Sequence, residues 1–276
     1  MRGDRTMSPS CHPLRVHELA AHLGAPSWPH VVDVRRESDF LEAGRIIAGS
    51  VRRNADCMSY EPGQQVVLVC AHGRSVSQGA CTRLSEQGID ARFLEGGYAA
   101  WTEAGLPTAL WRNPLSTTAS HWVTRERPKI DRIACPWLIR RFVDPLAEFL
   151  YVPTPDVLRV AKESGATPYD VPDVPFTHRG PLCSFDALVA DFDLHAPGLD
   201  ALATIVRGAD TQHPELAPEC AGLLAISLGL SKLHADDHAM LAHGMHVYDA
   251  LYAACRFARG QSHDWRPDAL RAEARS

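Results

Sequence analysis

The sequence runs Val66-Val67-Leu68-Val69-Cys70-Ala71-His72-Gly73-Arg74-Ser75, an apolar stretch that ends in a cysteine and a short polar loop. A short apolar run predicts a buried strand, and the pattern after the loop predicts a helix. Such a loop directs backbone N–H groups and the N-terminus of the helix toward the sulfur atom. Their partial positive charge stabilises a thiolate and binds anions, so Cys70 is a candidate nucleophile.

The segments around this loop alternate between runs of strand length and amphipathic runs of helical length. They predict strands over 31–34, 66–70 and 91–94, and helices over 77–87 and 98–103 that Gly88 and Gly105 stop. Short strands alternating with helices indicate an α/β fold with a parallel sheet and helices on both faces.

Five pieces of the sequence occur in order between Val16 and Pro107. They are Val31-Val32-Asp33-Val34-Arg35, Phe40 with Gly44-Arg45-Ile46, the cysteine loop, Gly96-Gly97 with Trp101, and Gly105-Leu106-Pro107. In this order they resemble the rhodanese homology domain. The resemblance implies a rhodanese-like parallel sheet and a sulfur atom carried on Cys70 as a persulfide.

The segment departs from the family pattern at three places. Gly44-Arg45-Ile46 stands where the family usually has Gly-His-Ile, and Ile47-Ala48-Gly49-Ser50 lengthens the usual Pro-Gly-Ala. The stretch over 54–65 is short, so we expect a helix of the family to be missing there. None of these differences touches the nucleophile.

Loop length separates two chemistries of related cysteine loops. Phosphatases and arsenate reductases hold a tetrahedral dianion in a longer loop, with an arginine six positions after the cysteine, where this chain has Val76. The basic residue here, Arg74, comes four positions after Cys70. This spacing favours the shorter loop of sulfurtransferases.

The resemblance therefore implies a sulfurtransferase whose partners are a small anionic sulfur donor such as thiosulfate and a thiol or cyanide acceptor. The candidate substrate-binding residues are Ala71, His72, Gly73, Arg74, Ser75 and Val76. Their N–H groups would hold the anion, and Arg74 would attract the donor. His72 fits a spectator equally well. We expect Asp33 to fix the strand end and Arg35 to be a structural ion-pair partner.

Composition restricts the class of protein. The 276 residues suit two domains, and the net charge of −5 argues against nucleic-acid binding by bulk charge. No apolar window approaches the ~20 residues that span a membrane, and the N-terminus lacks the apolar region of a signal peptide. The eight cysteines contain no C-x-x-C pair, so we expect mostly buried thiols, no metal site and no cofactor in a cytoplasmic enzyme.

A domain boundary is visible after Pro107. Residues 111–120 are rich in turn formers and hydroxyl side chains and have no apolar period, which predicts a linker. We expect a rhodanese-like domain over 12–110 and a second domain over 121–262.

The second domain carries its own resemblance. The pieces that carry it are Ile130-Asp131-Arg132-Ile133-Ala134-Cys135-Pro136-Trp137, Phe176-Thr177-His178-Arg179-Gly180, Cys183-Ser184-Phe185-Asp186, Ile205-Val206-Arg207-Gly208-Ala209-Asp210 and Gly244-Met245-His246-Val247-Tyr248. They resemble the C-terminal domain of chromate resistance protein ChrB. The resemblance implies a role in chromate resistance, with chromate as a candidate ligand.

The apolar pattern of this domain predicts mostly helices. Cys135-Pro136 is expected to begin one helix, because proline suits the first helical position. The last helix is expected to start at Asp236 or Asp237 and to bury a stripe of residues three and four apart. The members of that stripe are Leu241, Met245, Tyr248, Tyr252 and Cys255.

Two groups in this domain could carry chemistry. The first is a basic excess near the expected helix start at Cys135, which would suit an oxyanion such as chromate; the alternative is a solvated, ion-paired face. Its members are Arg125, Arg127, Lys129, Arg132, Arg140 and Arg141, of which the first four are expected to supply the charge. The second group is His178 with Cys183, and His195 beyond, but this spacing favours a hydrogen-bonded histidine and a buried thiol over a metal site.

The sequence thus predicts a sulfurtransferase domain joined to a domain of the chromate-resistance type. The alternative is a non-catalytic sensor or regulatory protein that uses the rhodanese fold only to bind chromate or another oxyanion. The retained cysteine, glycine and basic residue of the loop favour catalysis.

Overall fold

The computed structural model describes residues 11–53, 60, 63–111, 119–258 and 260. The strands described in its N-terminal part are β1 (His12–Leu14), β2 (His30–Asp33), β3 (Arg45–Ile47), β4 (Val51–Arg52), β5 (Gln65–Val69), β6 (Asp90–Leu94) and β7 (Thr108–Leu110). The helices are α1 (Val16–Ala21), α2 (Glu37–Ala43), α3 (Ser75–Glu86) and α4 (Gly97–Glu103). We expect a family helix to be missing over 54–65 and a linker over 111–120. Most residues of both stretches lie outside the described residues.

Five of these strands form one parallel sheet in the order β1-β6-β5-β2-β4. Helix α3 packs Ala80 and Leu84 against one face of the sheet, and Leu19 of α1, Phe40 of α2 and Trp101 of α4 belong to the core on the other. The predicted parallel sheet with helices on both faces is therefore confirmed. Strands β1 and β4 were not predicted, because two or three residues are too few to show a period of two.

The C-terminal part is mainly helical, as predicted, but it also contains a parallel sheet in the order β10-β8-β9. Its strands are β8 (His121–Arg125), β9 (Glu148–Val152) and β10 (Thr167–Pro168). Its α-helices are α5 (Asp131–Leu138), α6 (Val157–Ser164), α7 (Ser184–Asp191), α8 (Leu199–Asp210), α9 (Cys220–Leu233) and α10 (Asp237–Phe257). The predicted stripe of α10 is buried, and Asp236 caps this helix by accepting a hydrogen bond from the N–H of Ala239.

The prediction for the start of α5 was wrong. The helix begins at Asp131, so Pro136 lies inside it rather than at its first position. A proline within a helix leaves the carbonyl four residues earlier without its usual N–H donor. Here that carbonyl, of Arg132, accepts hydrogen bonds from the hydroxyls of Tyr151 and Tyr169, each at 3.4 Å. Contacts from distant strands thus make the internal proline tolerable.

The two parts of the chain share one apolar core. Phe142 and Tyr252 of the C-terminal part are buried, with ring centroids 5.5 Å apart, and they close over Gly24 of the N-terminal part. A Cβ atom on Gly24 would lie 2.5 Å from the ring of Tyr252 and 2.6 Å from that of Phe142. The cluster continues to Leu23 and Trp101 on the N-terminal side. Close packing of this kind holds the two parts against each other.

Two departures from the rhodanese pattern lie in this interface. Arg45 donates hydrogen bonds to the Asp193 carboxylate at 2.6 Å and to the Asp193 carbonyl at 3.1 Å. The N–H of Gly49 donates to the Phe142 carbonyl at 2.8 Å, and a Cβ atom on Gly49 would lie 2.7 Å from the Arg141 carbonyl oxygen. The unusual arginine and the lengthened glycine segment therefore fit the N-terminal part to its neighbour.

The cysteines differ from the expectation at two positions. Cys11 and Cys81 form a disulfide that links the residue before β1 to helix α3, so they are not thiols. Among the other described cysteines, Cys70, Cys135, Cys183, Cys220 and Cys255 are free and buried. None of the described helices is both long enough and apolar enough to cross a membrane.

Candidate functional site

Cys70 lies between the central strand β5 and helix α3, at the carboxyl edge of the parallel sheet. Strand β5 ends at Val69 and α3 begins at Ser75, with Arg74 at the residue before the helix. The cysteine is 5% exposed. The predicted order of strand, cysteine, loop and helix is confirmed. Carboxyl edges of parallel sheets are where α/β proteins bind ligands.

The Cys70 sulfur lies among hydrogen-bond donors. The N–H of Arg74 donates to Sγ at 3.3 Å, and the Ser77 hydroxyl lies 3.1 Å from Sγ. Burial disfavours the thiolate, but hydrogen bonds from the Ser77 hydroxyl and from the N–H groups of Ser77, Arg74 and His72 outweigh it, so the pKa of Cys70 is lowered. The site is therefore suited to an anionic sulfur.

Two glycines let the loop take this shape. Gly73 and Gly97 both have a φ of 63°, which favours glycine. A Cβ atom on Gly73 would lie 2.5 Å from the Leu94 carbonyl oxygen, and one on Gly97 would collide with the Cys70 carbonyl and lie 2.5 Å from the Gly73 nitrogen. The Gly96-Gly97 turn thus packs directly against the cysteine loop, which explains why the two motifs occur together.

The other predicted loop residues have separate roles. Ala71 accepts a hydrogen bond from the N–H of Ala99 at 3.0 Å, so its carbonyl anchors the loop to α4. His72 and Ser75 are exposed, as is Arg74. The side chain of Val76 packs against the core beside α3, so only its backbone is available to the site. Arg74 acts on the sulfur through its N–H, while its side chain faces solvent.

Sequence reasoning missed Ser77. Its hydroxyl is buried and bridges the Cys70 sulfur and the Arg74 carbonyl, which it reaches at 3.3 Å. Ser77 is the third residue of α3. Side chains in a helix point back toward its N-terminus, so that of Ser77 reaches the sulfur of Cys70, seven residues earlier. A helix start placed at Ser75 rather than Ser77 would have revealed it.

Asp33 and Arg35 have the structural role expected for them. Both side chains are 1% exposed and form an ion pair at 2.6 Å. The Arg35 guanidinium lies 3.7 Å from the ring centroid of Tyr98, and it also donates to the Arg45 carbonyl. The pair therefore fixes the end of β2 beside the start of α4, without reaching the Cys70 sulfur.

A second group of polar side chains gathers in the C-terminal part, at the carboxyl edge of the sheet β10-β8-β9. The imidazole Nε2 of His178 lies 3.1 Å from a carboxylate oxygen of Asp210 and 3.6 Å from oxygens of Asp131 and Asp170. We call these four residues the His178 cluster. Burial and the nearby carboxylates of Asp210 and Asp170 raise the pKa of Asp131 well above its usual range.

Three arginines of the basic segment expected to bind an oxyanion are already paired. Arg125 and Arg132 contact one carboxylate oxygen of Asp170, at 2.8 and 3.3 Å. Arg127 donates to the carbonyls of Ser231 and Ala235 at 2.6 and 3.0 Å. The alternative of an ion-paired face therefore describes this segment better than an open anion site.

The cysteine expected at the helix N-terminus does not lie there. Cys135 is inside α5, fully buried, and its thiol lies 3.7 Å from the Asp131 carboxylate. Burial and the negative charges of Asp131 and Asp170 raise the pKa of this thiol well above its usual range. The proposed oxyanion contact at Cys135 was wrong because the helix starts four residues earlier.

The expected group of His178, Cys183 and His195 is not brought together as such. Cys183 is buried at the start of α7 and lies 3.3 Å from the Asp186 carboxylate, as the buried-thiol interpretation predicts. His195 pairs with Asp193 at 2.8 Å instead. The partners of His178 are carboxylates from distant segments, which its neighbours in sequence do not reveal.

Comparisons with known proteins follow this division of the chain. The model of the rhodanese-like domain family matches residues 15–104, and that of the ChrB C-terminal domain matches residues 122–255. Protein ChrB of Cupriavidus metallidurans is 35% identical over 142 residues, which are 51% of this chain and 42% of that protein. The chain thus spans less than half the length of this relative.

Relatives of the N-terminal part are covered more completely. The thiosulfate sulfurtransferase GlpE of Shewanella oneidensis is 36% identical over 97 residues, which are 33% of this chain and 92% of that protein. GlpE of Pseudoalteromonas translucida is 37% identical over 79 residues, 27% of this chain and 73% of that protein. A rhodanese-related protein of Thermoplasma volcanium with a solved structure is 26% identical, with a TM-score of 0.31. The match covers 36% of this chain and 99% of that protein. The chain therefore belongs to the rhodanese-like family through residues 15–104 and carries a C-terminal domain of the ChrB family at residues 122–255.

Proposed function

We propose that this chain is a sulfurtransferase that moves a sulfane sulfur from an anionic donor such as thiosulfate to a thiophilic acceptor through a persulfide on Cys70. The observation that carries the proposal is the set of donors around its sulfur: the N–H of Arg74 at 3.3 Å and the Ser77 hydroxyl at 3.1 Å. The same donors that lower the pKa of the thiol would stabilise the anionic persulfide.

The first half of the reaction loads the enzyme. The Cys70 thiolate attacks the outer sulfur of thiosulfate and forms a new S–S bond. The S–S bond of thiosulfate breaks, and its electron pair leaves with sulfite. The charge of the reactants, one negative on the thiolate and two on thiosulfate, is conserved in the persulfide anion and the sulfite dianion.

The second half unloads it. A thiolate or cyanide attacks the outer sulfur of the persulfide, the S–S bond breaks, and the electron pair returns to Cys70 as a thiolate. The product is thiocyanate or an acceptor persulfide. Because the donor product leaves before the acceptor reacts, the kinetics are ping-pong. We propose Ala71, Gly73, Ser75 and Val76 as loop residues that shape the cradle, with His72 and Arg74 as its exposed rim.

The experiment is a thiosulfate:cyanide assay that measures thiocyanate in the full chain and in Cys70→Ser. We expect parallel double-reciprocal lines for wild type and only background turnover for Cys70→Ser. Cys183→Ser is the matched control, because this cysteine is also buried but lies at the start of α7, where serine is a good helix cap. Turnover of Cys70→Ser comparable to that of Cys183→Ser would refute the assignment.

We also propose, from the ChrB family of the C-terminal domain, that this sulfur transfer serves chromate resistance. Growth of a chromate-sensitive bacterium expressing wild type or Cys70→Ser tests it. Protection by wild type alone supports the catalytic role. Equal protection by both favours the alternative of a non-catalytic sensor or regulatory protein.

A further inference from the structure

The His178 cluster has the features of a metal site that the Cys70 chemistry does not use. Asp131 lies at the start of α5, Asp170 follows β10, and Asp210 ends α8. His178 lies in the segment between β10 and α7. Three separate parts of the fold thus bring three carboxylates and one imidazole together.

The distances among these donor atoms suit one ion. One ligand atom each from Asp131, Asp170 and His178 lie within 4.8 Å of one another, and an Asp210 oxygen lies 3.1 Å from His178 Nε2. Neighbouring ligands about 2.1 Å from a metal ion are about 3.0 Å apart in an octahedral site and about 3.4 Å apart in a tetrahedral one. The separations of His178 Nε2 from the three carboxylates, 3.1 to 3.6 Å, are close to these values.

The carboxylates are held in place by other groups. Asp131 accepts hydrogen bonds from the N–H groups of Ser184 and Phe185 at 2.6 and 3.1 Å, and Asp170 accepts one from the Ser184 hydroxyl at 2.9 Å. Partners behind the ligands fix their orientation in metal sites and raise affinity. The arginines of Asp170 contact one of its oxygens, and the other oxygen accepts the Ser184 hydroxyl and faces His178 with a second lone pair for a ligand.

The charge balance is an observation independent of these distances. Two arginines, Arg125 and Arg132, lie near the three carboxylates. The carboxylate that both of them contact is that of Asp170. Over the described residues, His178 is the one basic side chain within ion-pair distance of Asp131 or Asp210. Asp131 is 1% exposed, and a buried carboxylate is costly unless a cation or a bound proton neutralises it. The excess of carboxylates over basic side chains therefore favours a bound cation over an oxyanion.

We propose that Asp131, Asp170, His178 and Asp210 bind one divalent first-row metal ion. Carboxylates with an imidazole suit ions such as Mn²⁺, whereas Mg²⁺ and Ca²⁺ take oxygen ligands. His178 is 41% exposed, which gives the ion an entry path and leaves room for water. The site lies in the C-terminal domain, so it goes beyond the proposed sulfur transfer.

The test is a titration of the chelator-treated full chain with Mn²⁺ alone, with free Mn²⁺ followed by electron paramagnetic resonance. Mn²⁺ is the probe because thiolates bind it poorly, so the free cysteines do not compete. We expect one ion per chain in wild type. His178→Ala and Asp210→Asn should each weaken binding at least about tenfold, and both positions are exposed enough that the fold should persist.

His195→Ala is the matched control. His195 also pairs with an aspartate, Asp193 at 2.8 Å, but belongs to no such cluster, so its removal should leave Mn²⁺ affinity unchanged. The proposal is overturned if wild type binds no Mn²⁺, or if folded His178→Ala and Asp210→Asn bind it as tightly as wild type. In either case His178 would serve only as a hydrogen-bonding partner of the carboxylates. Neither result depends on Cys70.

Discussion

The Cys70 loop and the His178 cluster are both polar sites at the carboxyl edge of a parallel sheet, but they are assembled differently. The donors around the Cys70 sulfur are backbone N–H groups and a hydroxyl from residues 72–77. The groups around His178 Nε2 are side chains from positions between 131 and 210. The first site is held by local chain geometry, and the second by the packing of the whole domain. Changes to the first should therefore alter sulfur chemistry, and changes to the second should alter metal binding.

The largest effect on the loop is expected from Gly97→Ala. A Cβ atom there collides with the Cys70 carbonyl and lies 2.5 Å from the Gly73 nitrogen, so the cradle must shift away from the sulfur. Gly105→Ala is the control, because Gly105 has a similar φ of 66° with nothing within 4 Å of a Cβ atom. We expect Gly97→Ala to lose most of the sulfurtransferase activity. Its free energy of unfolding should fall about 1–3 kcal/mol further than that of the control, since overpacking adds to the backbone strain that both variants share.

Thiocyanate assays and denaturant unfolding of both variants measure this difference. Equal activity and equal stability of the two would mean that the Gly96-Gly97 turn does not support the loop. The Cys70 loop would then not be held in place by this local contact.

A smaller effect is expected from Ser77→Ala. The variant removes a hydrogen bond to the Cys70 sulfur at 3.1 Å and should raise the pKa of this thiol, since a hydrogen bond to a charged group stabilises that group by about 1.5–3 kcal/mol. The thiolate then forms only at higher pH, so the pH profile of alkylation should move upward. Ser75→Ala, on the exposed side of the same helix, should leave the profile in place. A profile that is identical in all three proteins contradicts the role given to Ser77.

The contrast between the two sites also explains what the sequence could predict. The strand ending at Val69, the loop and the helix are contiguous, so apolar pattern and glycine placement predicted Cys70 and its surroundings. Ser77 was missed because the helix start was placed two residues late. The His178 cluster could not be predicted, because nothing near His178 in sequence shows that Asp131 and Asp210 will pack against it.

The second domain shows the same limit in its helix α5. Pro136 resembled a first helical residue, yet hydrogen bonds from Tyr151 and Tyr169 to the Arg132 carbonyl allow it inside the helix. Tyr151 lies in β9 and Tyr169 directly after β10, which a local pattern does not show. The family resemblances, which summarise the whole fold, predicted the two domains where local patterns gave only pieces.

The smallest effect is expected from Arg45→His, which restores the usual residue of the rhodanese pattern. Asp193, its partner, is 44% exposed, so the free energy of unfolding should fall by about 1 kcal/mol or less. Arg159→His, which removes two exposed pairs of α6, with Asp156 and Glu163, is the control. Because one apolar core spans both domains, wild type and both variants should unfold in a single transition. Two separate transitions in wild type would contradict the shared core.

The most direct test of the account is the mass of the full chain after treatment with thiosulfate and removal of excess reagent, followed by peptide mapping without reducing agent. We expect one added sulfur atom, on the peptide that contains Cys70, and its removal by cyanide. No added sulfur, or sulfur carried on a peptide containing another cysteine while Cys70 stays unmodified, would contradict it.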